Sequence, residues 1–200
     1  MIRLMAVCGI VLFISGNVLS QQNLTAKLLP ELCLTKAETE LYKLIISYRK
    51  EKGLPAVKLS ASLCYVARMH ARDQVDNYQS GTRCNMHSWS ENPAWSSCCY
   101  TPDHKQAKCM WDKPRELTSY KGDGFEISFW STNQYPSPED AAKDMLDGWK
   151  KSTGHNDMIT NRNMWKNVEW KAIGIGIYGG FANVWFGEVA DSAGEPKSCE

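Results

Sequence analysis

The chain has 200 residues, 43% of them hydrophobic, with eight Trp and a formal charge of +1. That is enough for one domain with a real core. The near balance, with no Lys/Arg block, excludes nucleic acid or an anionic membrane surface as the expected partner.

Residues 1–20 carry Arg3, then an apolar run from Ala6 to Ile14, and end Val18-Leu19-Ser20. This is the pattern of a signal peptide cleaved before Gln21. The run is too short for a membrane anchor, polar Gln21, Gln22 and Asn23 follow it, and no second span exists. The mature protein is therefore expected to be secreted or extracytoplasmic, with no transmembrane segment after cleavage.

Loss of Cys8 leaves seven of the eight cysteines, and in an oxidising compartment most of them pair. The odd one is expected to be Cys64, inside a helical pattern where a small buried thiol packs well. Adjacent Cys98 and Cys99 would be strained if joined to each other. They are expected to reach separately to Cys84 and Cys109. No Cys-x-x-Cys pair supports a zinc knuckle.

Residues 21–34 read as an N-terminal tail with a glycosylation sequon at Asn23-Leu24-Thr25. Thr35 and Glu38 form a capping box, and Leu41, Leu44, Ile45 and Tyr48 give the following helix an apolar face that ends before Gly53 and Pro55. Ser60 caps a second helix to about Tyr78, with Leu63, Val66, Ala67 and His70 on one face. His70 on that stripe reads as a core histidine satisfied by one hydrogen bond. From Ser80 to Gly124 periodicity is lost, and the cysteines and prolines there point to a long loop ordered by disulfides.

In Phe125-Glu126-Ile127-Ser128-Phe129, alternation places the apolar residues on one side of a strand and Glu126 on the other. Ser137-Pro138-Glu139-Asp140 starts a helix whose Ala142, Met145, Leu146 and Trp149 share a face. Gly154 is expected to close it in a left-handed conformation, fixing His155 just past its end. Ile173, Ile175 and Ile177 then alternate with Gly174 and Gly176, Gly179-Gly180 turns the chain, and Val184-Trp185-Phe186 returns. The glycine side of the first strand would let a helix approach closely. Residues 191–200 read as a C-terminal tail.

Leu63-x-x-x-Ala67-x-x-x-Ala71 after a Gly-Leu-Pro link, His87-Ser88, Glu126 on its strand, Trp149-x-x-Ser-x-Gly-His155-x-x-x-Ile159 and the final Gly-x-Gly hairpin follow one another in an order similar to that of the CAP superfamily. The chain resembles its bacterial-type branch, also called SCP domains (cysteine-rich secretory proteins, antigen 5, pathogenesis-related 1), over residues 35–190. The resemblance implies an α+β fold, a three-layer α-β-α sandwich with a small antiparallel sheet and a disulfide-stapled long loop. It also implies a central cleft in which His87, Glu126 and His155 meet, and which in some members binds a divalent metal. Imidazoles with a carboxylate suit zinc.

No catalytic residue is assigned. Lys150, Lys151 and Ser152 stand where many eukaryotic members carry a second glutamate, and no Gly-x-Ser-x-Gly elbow supports Ser152 as a nucleophile. The expected function is an exported binding or interaction module for a metal, small molecule or peptide. The alternative is a metal-dependent hydrolase in which a His87/His155-bound water attacks and Glu126 moves the proton.

Overall fold

Helix α1, Lys36–Glu51, begins where the sequence marks it. The Thr35 hydroxyl accepts from the Glu38 amide at 3.3 Å, and the Glu38 carboxylate accepts from the Thr35 amide at 2.8 Å. Two otherwise orphaned donors of the first turn are thereby satisfied. Helix α2, Ala61–Asn77, starts on the Ser60 hydroxyl, and Asp191 accepts from both Ser60 and the Ser62 amide. In this computed structural model residues 29–199 are described. The signal segment and the sequon lie outside them.

Strands β2 (Phe125–Trp130), β3 (Ala172–Tyr178) and β4 (Phe181–Gly187) form an antiparallel sheet in the order β2-β4-β3. Alternation gives it two different faces. Ile127, Ile173, Ile175, Val184 and Phe186 pack on one side against Leu41 and Ile45 of α1 and Met145, Leu146 and Trp149 of helix α5, Pro138–Lys151. The other side carries Glu126, Ser128, Gly174, Gly176, Asn183 and Trp185, and α2 lies on it. The result is an α+β fold in three layers, helix, sheet and helices.

The approach of α2 is closer than any side chain on β3 would allow. A Cβ at Gly174 would stand 2.1 Å from the carbonyl carbon of Leu63, and one at Gly176 would stand 2.2 Å from the amide nitrogen of Arg68. Both obstacles are backbone and cannot rotate away.

The long connection between α2 and β2 is crosslinked by Cys84–Cys99 and Cys98–Cys109, and Cys64 is the free, buried thiol. Inside it lie helices α3, Ala107–Trp111, and α4, Lys113–Leu117. Five residues each are too few for a periodic stripe, so the sequence pattern does not reveal them. The two ends of the described residues are also tied together. Strand β1, Cys33–Leu34, pairs in parallel with β5, Lys197–Ser198, beside the Cys33–Cys199 disulfide. Leu34 is buried there.

Gly174→Ala and Gly176→Ala should each destabilise the fold by about 3 kcal/mol or more in urea unfolding, because helix and strand must separate. Gly154→Ala, where a Cβ would meet nothing within 4 Å, should be neutral or slightly stabilising.

Candidate functional site

Glu126 is on the α2 side of β2, as the alternation requires, and is 4% exposed. Its Oε2 lies 2.5 Å from His70 Nδ1 and its Oε1 2.8 Å from His87 Nδ1, and the Ser128 hydroxyl donates to Oε1 at 2.9 Å. Burial by itself would raise the pKa of this carboxyl. The His70 and His87 imidazoles beside it outweigh that and hold it at about 2. Facing an ionised carboxylate, His87 Nδ1 carries the hydrogen, and Nε2 is the ring nitrogen not engaged by Glu126.

His155 arrives by a different route from the one its flanking glycine suggests. Helix α5 ends at Lys151, and Ser152, with an extended backbone (φ −94°, ψ 116°), caps its end and starts helix α6, Thr153–Ile159. Gly154 lies inside the first turn of α6 and is not left-handed. The break falls two residues earlier than the glycine because an extended residue stops a helix as well as a left-handed one. His155 is thus in a helical turn, and α1 holds that turn in place. Tyr48 Oη donates to Asn156 Oδ1 at 2.9 Å, and Arg49 Nη1 donates to the Ile159 carbonyl and to Asn161 Oδ1, both at 2.7 Å. A cation at the carbonyl end of a helix is also electrostatically favoured.

His87, Glu126 and His155 line one cleft of about 460 Å³. Its other walls are Tyr100, Met110, Trp111, Phe125, Met158 and Trp165, with Met164 exposed at the rim. The Phe125 ring lies 5.4 Å from Trp111 and 5.2 Å from Trp165, so the aromatic wall is continuous. His104 is exposed, yet it also lines this cleft and meets Tyr100 Oη at 2.7 Å. A second hollow of about 420 Å³ surrounds Asp73 and Ser90. The carboxylate there already accepts from the Ser90 amide and Asn77.

The model of the CAP family, the cysteine-rich secretory protein family, matches residues 42–186. The chain belongs to that family. Two solved structures resemble this CAP domain. One is a cysteine-rich secretory protein from Staphylococcus aureus subsp. aureus Mu50, 16% identical with a TM-score of 0.48, covering 76% of this chain and 38% of the other. The second is an extracellular protein containing a SCP domain from Bacillus anthracis strain Ames, 18% identical with a TM-score of 0.49, covering 76% and 40%. This chain therefore spans about two-fifths of the length of each. No curated protein matches it.

The CAP domain brings the three anticipated residues to one cleft but gives them different surroundings. Glu126 spends both oxygens on His70, His87 and Ser128, and among the described residues no three His, Cys, Asp or Glu side chains are grouped to hold an ion. His70 makes two polar contacts rather than one, the second being from Nε2 to the Ser88 carbonyl at 2.9 Å. Its helical stripe announced burial. Nothing local announced that the opposite strand carries a carboxylate, 56 residues away.

Burial pushes the pKa of His155 down to about 4, helped by the neighbouring His87 and opposed by Glu126. A histidine whose folded pKa lies below its unfolded value of 6.5 costs stability as pH falls from 6.5 towards 4, and the loss levels off below. An NMR titration should accordingly find the His155 ring neutral at pH 5.5, with its midpoint near 4. A midpoint at 6 or above would show a solvated ring.

Proposed function

We propose that this CAP domain is an exported binding module whose cleft takes a divalent metal or a small ligand between His87 and His155. The observation that carries the reading is the pairing of two different imidazoles in one cleft. The first has its Nδ1 occupied by Glu126, which leaves Nε2 as its acceptor, and the second is kept neutral by burial. Neutral imidazole nitrogen is the form that binds a metal, and zinc is well suited to it.

His87 and His155 would hold such an ion, with Glu126 behind His87 fixing its ring as carboxylates do behind metal-bound histidines. A bound metal would supply Lewis acidity towards a ligand carbonyl or water. The remaining walls, Trp111, Phe125, Trp165 and the methionines, suit an apolar small molecule or a peptide side chain.

Export fits the three disulfides among the described residues, which persist in oxidising surroundings, and the extracellular description of the Bacillus anthracis protein. No described helix is long and apolar enough to cross a membrane.

Catalysis is the weaker reading because its base is poor. A carboxyl held at about 2, with each oxygen accepting from a neighbour, has little tendency to take a proton near neutral pH. The binding reading requires no such transfer.

Calorimetry with zinc at pH 7 should show one site in the wild type and affinity reduced roughly tenfold to a hundredfold or more in His87→Ala and His155→Ala. Pooled peptide and ester substrates should not turn over with metal present. Equal zinc heats in all three proteins would remove the His87/His155 site, and turnover abolished by either substitution would favour the hydrolase.

A further inference from the structure

The most deeply buried polar group at the cleft does not face it. His70 is fully buried, its ring stacked on Trp89 with centroids 4.4 Å apart and planes 7° from parallel, and edge-on to Trp185 at 6.4 Å. A carbonyl can only accept, so the Nε2 facing Ser88 bears a hydrogen and donates it. The Nδ1 contact with Glu126 Oε2 then places a proton between ring and carboxylate. Turning the ring out of its plane would break both bonds and its stacking on Trp89.

The two bonds converge on one neighbour. One fixes the carboxylate whose other oxygen accepts from His87 Nδ1, and the second fixes the carbonyl of Ser88, the residue that follows His87. On the preceding side, Gln74 of the same helix donates to the Met86 carbonyl at 2.8 Å. Helix α2 thus holds the backbone on both sides of His87 and, through Glu126, its ring.

We infer that His70 is a positioning residue for the cleft. By fixing the Glu126 carboxylate and the Ser88 carbonyl together, it keeps the His87 hydrogen on Nδ1 and the lone pair of Nε2 available to the ligand. The inference rests on the reading of His87 as a ligand-binding group. The ring's tautomer, however, belongs to the protein alone and can be read without any ligand.

The test is a long-range proton–nitrogen correlation spectrum of the His87 ring in the full chain without metal, followed by zinc calorimetry. It compares the wild type with His70→Phe, which keeps a ring against Trp89 but donates nothing, and His70→Gln, whose amide can still donate. The wild type should show the Nδ1–H form of His87. The Phe variant should show a mixture of forms and bind zinc roughly tenfold or more weakly, with the Gln variant in between. A smaller His70→Leu, which also donates nothing, takes the place of the Phe variant if that does not fold. A wild-type His87 carrying its hydrogen on Nε2 would overturn the inference, as would a folded Phe or Leu variant that keeps the Nδ1–H form. If zinc fails to bind the wild type, the metal reading falls while the tautomer still decides the role of His70.

Discussion

Helix α2 can lie against the sheet only because two positions of β3 lack a Cβ. Gly174 and Gly176 bring the helix backbone within touching distance of the strand, and the α2 side of the cleft is measured from that contact. His70 stands two turns along from Leu63 and one from Val66, so seating Leu63 and Ala67 over the glycines sets the depth at which His70 meets Glu126. Side chains at those two positions would lift the helix, and a hydrogen bond tolerates only a few tenths of an ångström of such movement.

The interior accepts charge only in company. Glu126 shares its two oxygens among His70, His87 and Ser128. Glu38, fully buried, accepts from Arg68, from its own capping residue and from the Ile177 amide. Arg49, 1% exposed, gives its hydrogens to the carbonyls of Pro55 and Ile159 and to Asn161. In each case one ionised side chain ties together segments far apart in sequence, a use of buried charge in which geometry matters more than net energy. Glu126 and Arg49 are the two that concern the cleft. The first orients His87, and the second anchors the helix that carries His155.

Local chemistry made much of this legible beforehand. The capping hydroxyls of Thr35, Ser60 and Ser137 start helices where they stand, and the period-two pattern around Glu126 puts it on the side opposite Ile127. The glycine side of β3 does receive a helix. What failed to show were features decided by distant partners or by short elements. Gly154 has the residue type of a helix terminator, but the chain had already broken at Ser152 and resumed. His70 has the spacing of a core residue, and its burial is real, but its partner comes from another layer of the fold. The five-residue helices of the crosslinked loop are shorter than any stripe that could betray them.

Cys64 shows what the same helix contact means for the making of the molecule. Its sulfur accepts the Ile175 amide at 3.3 Å beneath α2, and burial pushes the thiol up to about 12. Disulfide exchange proceeds through a thiolate that can reach another sulfur, and this one is neither ionised nor reachable. Once α2 has docked, the free thiol of Cys64 no longer threatens the pairing of the six cysteines bonded among the described residues. Before it docks, Cys64 is a competitor for each of them, so the order of assembly governs whether oxidation yields one set of crosslinks or many.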